Sequence, residues 1–208
     1  MPRARSQNPE NRRPGRRRAE DTASVAAAAP GELELVQAFV NTATPKATAE
    51  ELRSPRDLAR WLSRRGLTSP AAELTDDDLR RAVAAREALR SLLWANNGGE
   101  LDAGAFERLD RAISGARFQL RFDRDGTVRF EPVVGGLDAA LGTLLEIVAS
   151  ARLAGRWPRL KACADGECRG AYYDSSRSGT NKWCTRRCGA RVRAREHRRN
   201  EKYRASRR

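Results

Sequence analysis

Four cysteines, Cys163, Cys168, Cys184 and Cys188, have a spacing in this sequence that points to chemistry. They stand as C-x4-C, fifteen residues, then C-x3-C, all within 26 of the 208 positions. Two short pairs and a spacer suit a structural zinc ion. Tetrahedral Zn²⁺ needs four converging ligands, and each tight turn supplies two. Gly166 gives the first turn a residue that tolerates positive φ. Cys184 and Cys188 are four apart, so a helix begun near Cys184 places both on one face. Its unpaired N–H groups would also favour thiolates. One Zn²⁺ per chain is the expected cofactor. The alternative, two disulfides, requires an oxidising compartment.

The residues that follow are cationic. In a helix from Cys184, the residues Arg187, Arg191, Arg195, Arg198 and Lys202 fall within an arc of roughly 80°, given 3.6 residues per turn. Cys188 and Val192 lie to one side of that arc, and Arg193 lies opposite it. Only Glu196 and Glu201 interrupt eleven cations between Arg186 and Arg208. A solvated helix usually mixes its charge signs, so the stripe suits a phosphate backbone or a DNA groove.

Catalysis finds no support among these residues. His197 is the one histidine, so no Ser/His/Asp or Cys/His arrangement can be assembled. Four thiolates close a zinc site and leave no position for an activated water. Asp76, Asp77 and Asp78 suit a helix start better than a cation site, and Asp123 and Asp125 flank a turn. Trp183, Tyr172 and Tyr173 either stack on bases or form the mini-core of a small module. The protein is read as a non-enzyme.

These residues resemble the bacterial CGNR zinc-finger family. Its pattern runs C-x4-C, Tyr/Phe-x-Asp-x-Ser-Arg, Trp-Cys, then Cys-Gly-Asn-Arg and a basic helix. Here the matching residues are Cys163 and Cys168, Tyr172 to Arg177, Trp183-Cys184, and Cys188-Gly189-Ala190-Arg191. Ala190 replaces the Asn that helps name the family, and the second cysteine pair is one residue shorter than the common form. Upstream, Leu35 to Ala43, the SPRDLARWLSRRGL segment and the LRRAVAAREALRSLL helix resemble the ABATE domain that accompanies this finger. The resemblance implies a zinc-dependent, DNA-binding bacterial transcription regulator of the stress-induced kind. Its DNA-facing cations would be Arg177, Lys182, Arg187, Arg191, Arg195, Arg198 and Lys202.

The elements that must position these residues follow from charge and periodicity. Residues 1–20 hold seven Arg against two Glu, residues 21–156 hold 18 cations and 20 acids, and residues 157–208 hold 16 and five. A polyanion would therefore meet the ends of the chain. Residues 1–31 lack bulky apolar side chains and read as a disordered basic tail. No stretch approaches a membrane span or a secretory leader, so a cytoplasmic protein is expected. Helical spacing begins at Leu33, and Ser54 and Thr75 read as N-caps. The helix after Thr75 carries Leu79, Val83, Leu89, Leu92 and Leu93, with Arg86 and Glu87 at its margin. A short helix with Leu101, Phe106, Leu109 and Ile113 follows. A β-hairpin over 117–131 turns at Asp125-Gly126. The last helix before the cysteines carries Leu137 to Leu153, and Gly155 and Pro158 mark the boundary to the module.

The expected fold is mainly α with one β-hairpin (α+β), plus a small treble-clef-like or ribbon-like zinc module. Its parts are a regulator-like domain over 32–155, a finger over 157–199 and a basic tail over 200–208. Expected partners are DNA, with a small-molecule effector and a second copy of the chain as further candidates, and no membrane. The rival reading is a small-molecule-sensing or protein- or RNA-interaction protein in which the finger is only structural.

Overall fold

Thr75 begins the longest helix as its spacing predicts. Its hydroxyl accepts the Asp78 N–H at 3.1 Å, and the Asp78 carboxylate accepts the Thr75 N–H at 2.9 Å. This reciprocal cap satisfies two backbone donors and starts α3 (Asp76–Asn96). Ser54 caps α2 (Pro55–Ser63) with its hydroxyl alone, which accepts the Asp57 N–H at 3.2 Å, and Pro55 stands in the first turn. The computed structural model describes residues 26–44, 50–126 and 128–207. Residues 1–25 of the expected basic tail lie outside the described residues.

α1 (Leu33–Val40) precedes these helices, and α4 (Ala105–Ala112) packs against α3. β1 (Phe118–Phe122) and β2 (Val128–Pro132) pair antiparallel, and α5 (Gly136–Leu153) follows. A short 3-10 turn at Trp157–Arg159 leads into a second hairpin, β3 (Leu160–Ala162) with β4 (Ala171–Tyr173). α6 (Arg186–Ala205) ends the fold. Among the described residues there are thus six α-helices and two antiparallel hairpins, the mainly α architecture expected with a second small hairpin added. None of these helices is long and apolar enough to cross a membrane.

The core differs from the expected stripes in its make-up and in its extent. The buried centre of α3 is Ala82, Ala85, Ala88, Leu89, Leu92 and Leu93, while Val83 is only half-buried. Arg86 and Arg90 are buried as well, and their partners are described below. Leu101, Phe106 and Leu153, read as core, are exposed, Leu153 by 91% at the very end of α5. The core also runs past Gly155. Trp157, Leu160, Ala162 and Ala171 join one cluster with Phe39, Leu58, Leu93 and Leu144. The finger's hairpin and the helices therefore share a single apolar interior.

The first hairpin places Phe118, Leu120 and Phe122 opposite Pro132, Phe130 and Val128. Phe118 seats on α5 at Gly142, where an added Cβ would come within 2.5 Å of the ring. Phe122, further along, is 73% exposed.

Candidate metal centre and nucleic-acid interface

The first cysteine pair sits in the turn of the β3–β4 hairpin. Cys163 donates its N–H to Gly170 O at 2.9 Å, closing the turn at its base. Inside it, Asp165 O accepts the N–H groups of Cys168 (2.8 Å) and Arg169 (3.0 Å). Arg169 takes φ 49°, the one positive value outside glycine among the described residues. Gly166, expected to supply the positive φ, is not among the residues that adopt it.

The second pair brackets the start of α6. Thr185, not Cys184, is the N-cap, and its hydroxyl accepts the Cys188 N–H at 3.3 Å. Cys184 thus precedes the helix, and only Cys188 lies in its first turn. The four Sγ atoms lie within 4.8 Å of one another, with Cys168 to Cys184 and Cys184 to Cys188 both 3.6 Å. A tetrahedron with Zn–S near 2.3 Å has sulfur–sulfur edges of about 3.8 Å, whereas a disulfide needs about 2.05 Å. All four thiols are free. The set fits one zinc ion.

The sulfurs also set their own protonation conflict. The hydrogen bond between Cys163 and Cys168 pushes the Cys163 thiol up to about 11 and Cys168 down to about 2. The same two neighbours push Cys184 well above the usual thiol range. A divalent cation held by the four sulfurs would replace the shared protons and let all four ionise. Further donors point at the sulfurs: Cys184 N–H lies 3.5 Å from Cys163 Sγ, and an Arg191 amino group lies 3.4 Å from Cys188 Sγ.

Two buried aspartates tie the module together. Asp165 is fully buried and accepts Arg191 Nε at 2.7 Å and an Arg195 amino group at 2.6 Å. Glu167 reaches Arg195 at 3.0 Å. Burial raises the Asp165 carboxyl, but the hydrogen bonds of Arg195 and Arg191 outweigh it and hold the group below the usual range. Asp174 accepts the buried Lys161 Nζ at 2.8 Å, the Ser176 hydroxyl at 2.6 Å and the Asn181 N–H at 2.9 Å. It thereby shapes the loop that returns the chain to Trp183 and Cys184. Tyr172 lies in the mini-core and donates its hydroxyl to Asn181 O. Trp183 lies against Gly189, where a Cβ would meet its ring at 3.1 Å.

The helical domain grips this module from α3. Asn96 donates to Trp157 O (3.0 Å) and Leu160 O (2.9 Å), and Asn97 donates to Ala162 O (2.8 Å) and Lys182 O (2.9 Å). Arg90 donates to Val40 O at 2.6 Å, Arg169 O at 3.1 Å and Ala43 O. Arg169 in turn stacks over Trp94, 4.0 Å from the ring centre.

The expected DNA-facing cations are divided by this geometry. Arg191 and Arg195 turn to Asp165, and so are engaged within the chain. Arg187, Arg198 and Lys202 point outward and are exposed, as are Arg177 and Lys182 in the loop before the helix. Arg193, the residue opposite the stripe, lies 5.6 Å from the Trp183 ring centre. His197 sits at the surface, 3.3 Å from Glu201. From Glu196 to Arg207 every residue is exposed, so the distal half of α6 projects from the fold, and Asn200–Ala205 of the expected tail is helical.

Two family patterns match the chain: one described as "Putative stress-induced transcription regulator" (ABATE), over residues 33–161, and one described as "CGNR zinc finger", over residues 159–201. The chain belongs to the ABATE family. No curated protein matches it. The two matched ranges overlap at 159–161, where Leu160 and Lys161 of β3 lie. This strand is shared physically too, because Leu160 belongs to the helical core while Lys161 braces Asp174 in the finger. The Arg closing the CGNR motif, Arg191, is the clamp on Asp165. Spacing alone did not single out Asp165, Asp174, Arg90 or Asn97. One available signal was that Asp165 and Glu167, two acids inside a cysteine turn, call for cations nearby.

Proposed function

We propose that this ABATE-family protein is a zinc-dependent DNA-binding transcription regulator whose finger presents α6 to duplex DNA. The observation that carries this is the distal half of α6, which is exposed on all sides and holds Arg198, Arg199, Lys202 and Arg204. A 20-residue helix is about 30 Å long, enough to lie along a groove. Arg187, Arg177 and Lys182 extend the cationic surface to its base. Zinc, when bound, joins the helix start to the hairpin turn and so fixes the direction in which α6 points. Arg191 and Arg195 support that direction through Asp165 rather than touching the partner. No catalytic step is assigned. Fluorescence anisotropy with a labelled duplex tests the proposal: the zinc-loaded protein should bind with a steep salt dependence, and chelation should abolish binding. Retention of full affinity after zinc removal would sink it.

A second reading, small-molecule sensing by the helical domain, has one observation in its favour. A cleft of about 620 Å³ lies between the first hairpin and α5, lined by Phe122, Phe130, Glu32, Thr143 and Glu146 among others. A compound bound there that changed DNA affinity would support it, and two independent equilibria would count against it.

A further inference from the structure

The first hairpin has one edge blunted and one open. Val133 donates its N–H to Arg117 O at 3.0 Å, so Gln119 and Glu131 form the next hydrogen-bonded pair of this antiparallel ladder. The residues that alternate with them, Phe118, Leu120 and Phe122, turn their N–H and C=O groups away from β2. Among the described residues no group bonds to these, and all five residues of β1 are exposed. The outer edge of β2 is blunted, because Pro132 has no N–H to offer and α5 packs against that strand. β1 is thus the edge left open to another strand.

The side chains at this edge are apolar. Phe118, Leu120 and Phe122 share one face of the hairpin with Phe130 and Val128. Exposure rises along the strand, from 40% at Phe118, which seats on α5 at Gly142, to 73% at Phe122, which overhangs. Taking roughly 150–250 Å² for a fully exposed large side chain, this face and the neighbouring Val133 leave on the order of 600 Å² of apolar surface in water. That is the upper end of what one monomer carries in a single patch, and it approaches the ~800 Å² per partner of a standard interface.

A strand paired antiparallel with its own copy is two-fold symmetric, as a closed dimer requires. Centred on Leu120, such a pair gives every outward N–H and C=O of Phe118, Leu120 and Phe122 a partner. It lays the overhanging Phe122 of each copy beside Phe118 of the other, at the seat on α5. On the opposite face it sets Arg121 across from Gln119 of the second copy, so no like charges meet directly. The strand therefore complements itself in hydrogen bonds, apolar contact and charge. We propose that β1 pairs antiparallel with β1 of a second copy, joining the two hairpins into one sheet across a homodimer. The pairing requires no nucleic acid.

Sedimentation velocity of the full zinc-loaded chain over a concentration series tests this, with L120K and Q119K beside it. Leu120 is exposed, and Q119K faces Glu131 within its own hairpin, so both variants should fold. Circular dichroism checks that they do. Wild type should pass from monomer to dimer as concentration rises, with the Phe118, Leu120 and Phe122 amides gaining protection from hydrogen exchange. L120K sets two lysines opposite each other at the symmetry axis and should stay monomeric. Q119K meets Arg121 of the second copy at two symmetric places and should raise the dissociation constant about tenfold. A wild type that stays monomeric at every concentration overturns the proposal and leaves the edge to a different partner. A dimer that survives both substitutions overturns it by placing the interface elsewhere. A dimer lost in L120K but untouched in Q119K overturns it as well, in favour of stacked apolar faces without edge pairing.

Discussion

α3 and α6 are both long, arginine-rich helices, and they use arginine in opposite ways. α3 spans 21 residues and turns Arg86 and Arg90 into the protein. Arg86 meets Glu50 at 2.7 Å and the Thr42 hydroxyl at 3.2 Å, and Arg90 takes three backbone carbonyls. α6 spans 20 residues and buries only Cys188 and Gly189. Its first half is tied down through Arg191 and Arg195, and its second half meets solvent alone. The acceptors within reach decide which way a guanidinium points. Carbonyls at the end of α1, in the loop after it and in the cysteine turn surround Arg90, whereas among the described residues no hydrogen bond or ion pair engages the side chain of Arg198 or Lys202. A cationic helix is therefore an interface only where the fold supplies no acceptors of its own.

The strongest break in this contrast is loss of the metal. Cys163→Ser or Cys188→Ser should release α6 altogether, since structural zinc contributes an apparent ~10–16 kcal/mol in small zinc peptides and an isolated cationic helix is marginal in water. Circular dichroism should show helix loss, and elemental analysis should fall from about one zinc per chain, as one four-ligand site requires, to nearly none. Full helicity without metal would contradict this.

Arg90→Ala tests the inward helix. It strands the carbonyls of Val40, Ala43 and Arg169 and removes a partner of Glu87, and breaking a buried charged network of this kind costs about 3–5 kcal/mol. Urea unfolding should show that loss, while protein that remains folded should keep its DNA affinity. Asn97→Ala, which leaves Ala162 O unpaired and Lys182 O with the Ala164 N–H as its remaining partner, should cost about 1–3 kcal/mol. Because it loosens the seat of the finger, zinc should exchange faster with a competing chelator. Unaltered exchange would show that α3 does not brace the finger.

The smallest effect belongs to Glu87. Burial raises its carboxyl, but the hydrogen bonds and charge of Arg90 and Arg86 reverse this and hold it below the usual range. A depressed acid stabilises the fold above its unfolded value of about 4.3 and loses that contribution as pH falls through the folded value. With its side chain 46% exposed, Glu87→Gln should cost about 1 kcal/mol or less at pH 7. In zinc-saturated protein the gap between variant and parent should hold down to about pH 4.3 and narrow as the pH falls below it. A gap that widened would reverse the sign assigned to this group.

Much of the metal centre is legible in the sequence because its signal is local and chemically specific. Four thiols in two short pairs leave few alternatives, and Ser54, Pro55 and Thr75 mark helix starts through bonds spanning three residues. The Asp165 clamp is not legible in that way, because it joins residues 26 and 30 positions apart. Arg90 escapes because hydropathy assigns every guanidinium to the surface. Ala82, Ala85 and Ala88 escape because alanine is too small to mark a face by periodicity. β3 and β4, three residues each, are too short for an alternating pattern to emerge. Their partners are Asn side chains on α3 and the backbone at Ala27, which no local rule connects to them.

The central claim is that outward cations of α6, and not the inward arginines of α3, form the DNA interface. The salt dependence of duplex binding by zinc-loaded wild type and R187Q/R198Q/K202Q tests it most directly. Each phosphate deprived of its cation takes about 0.9 from the slope, so the triple variant should bind more weakly with a slope lower by about three, while its zinc content stays the same. A wild-type protein that ignores duplex DNA, or a triple variant with an unaltered slope, would contradict it.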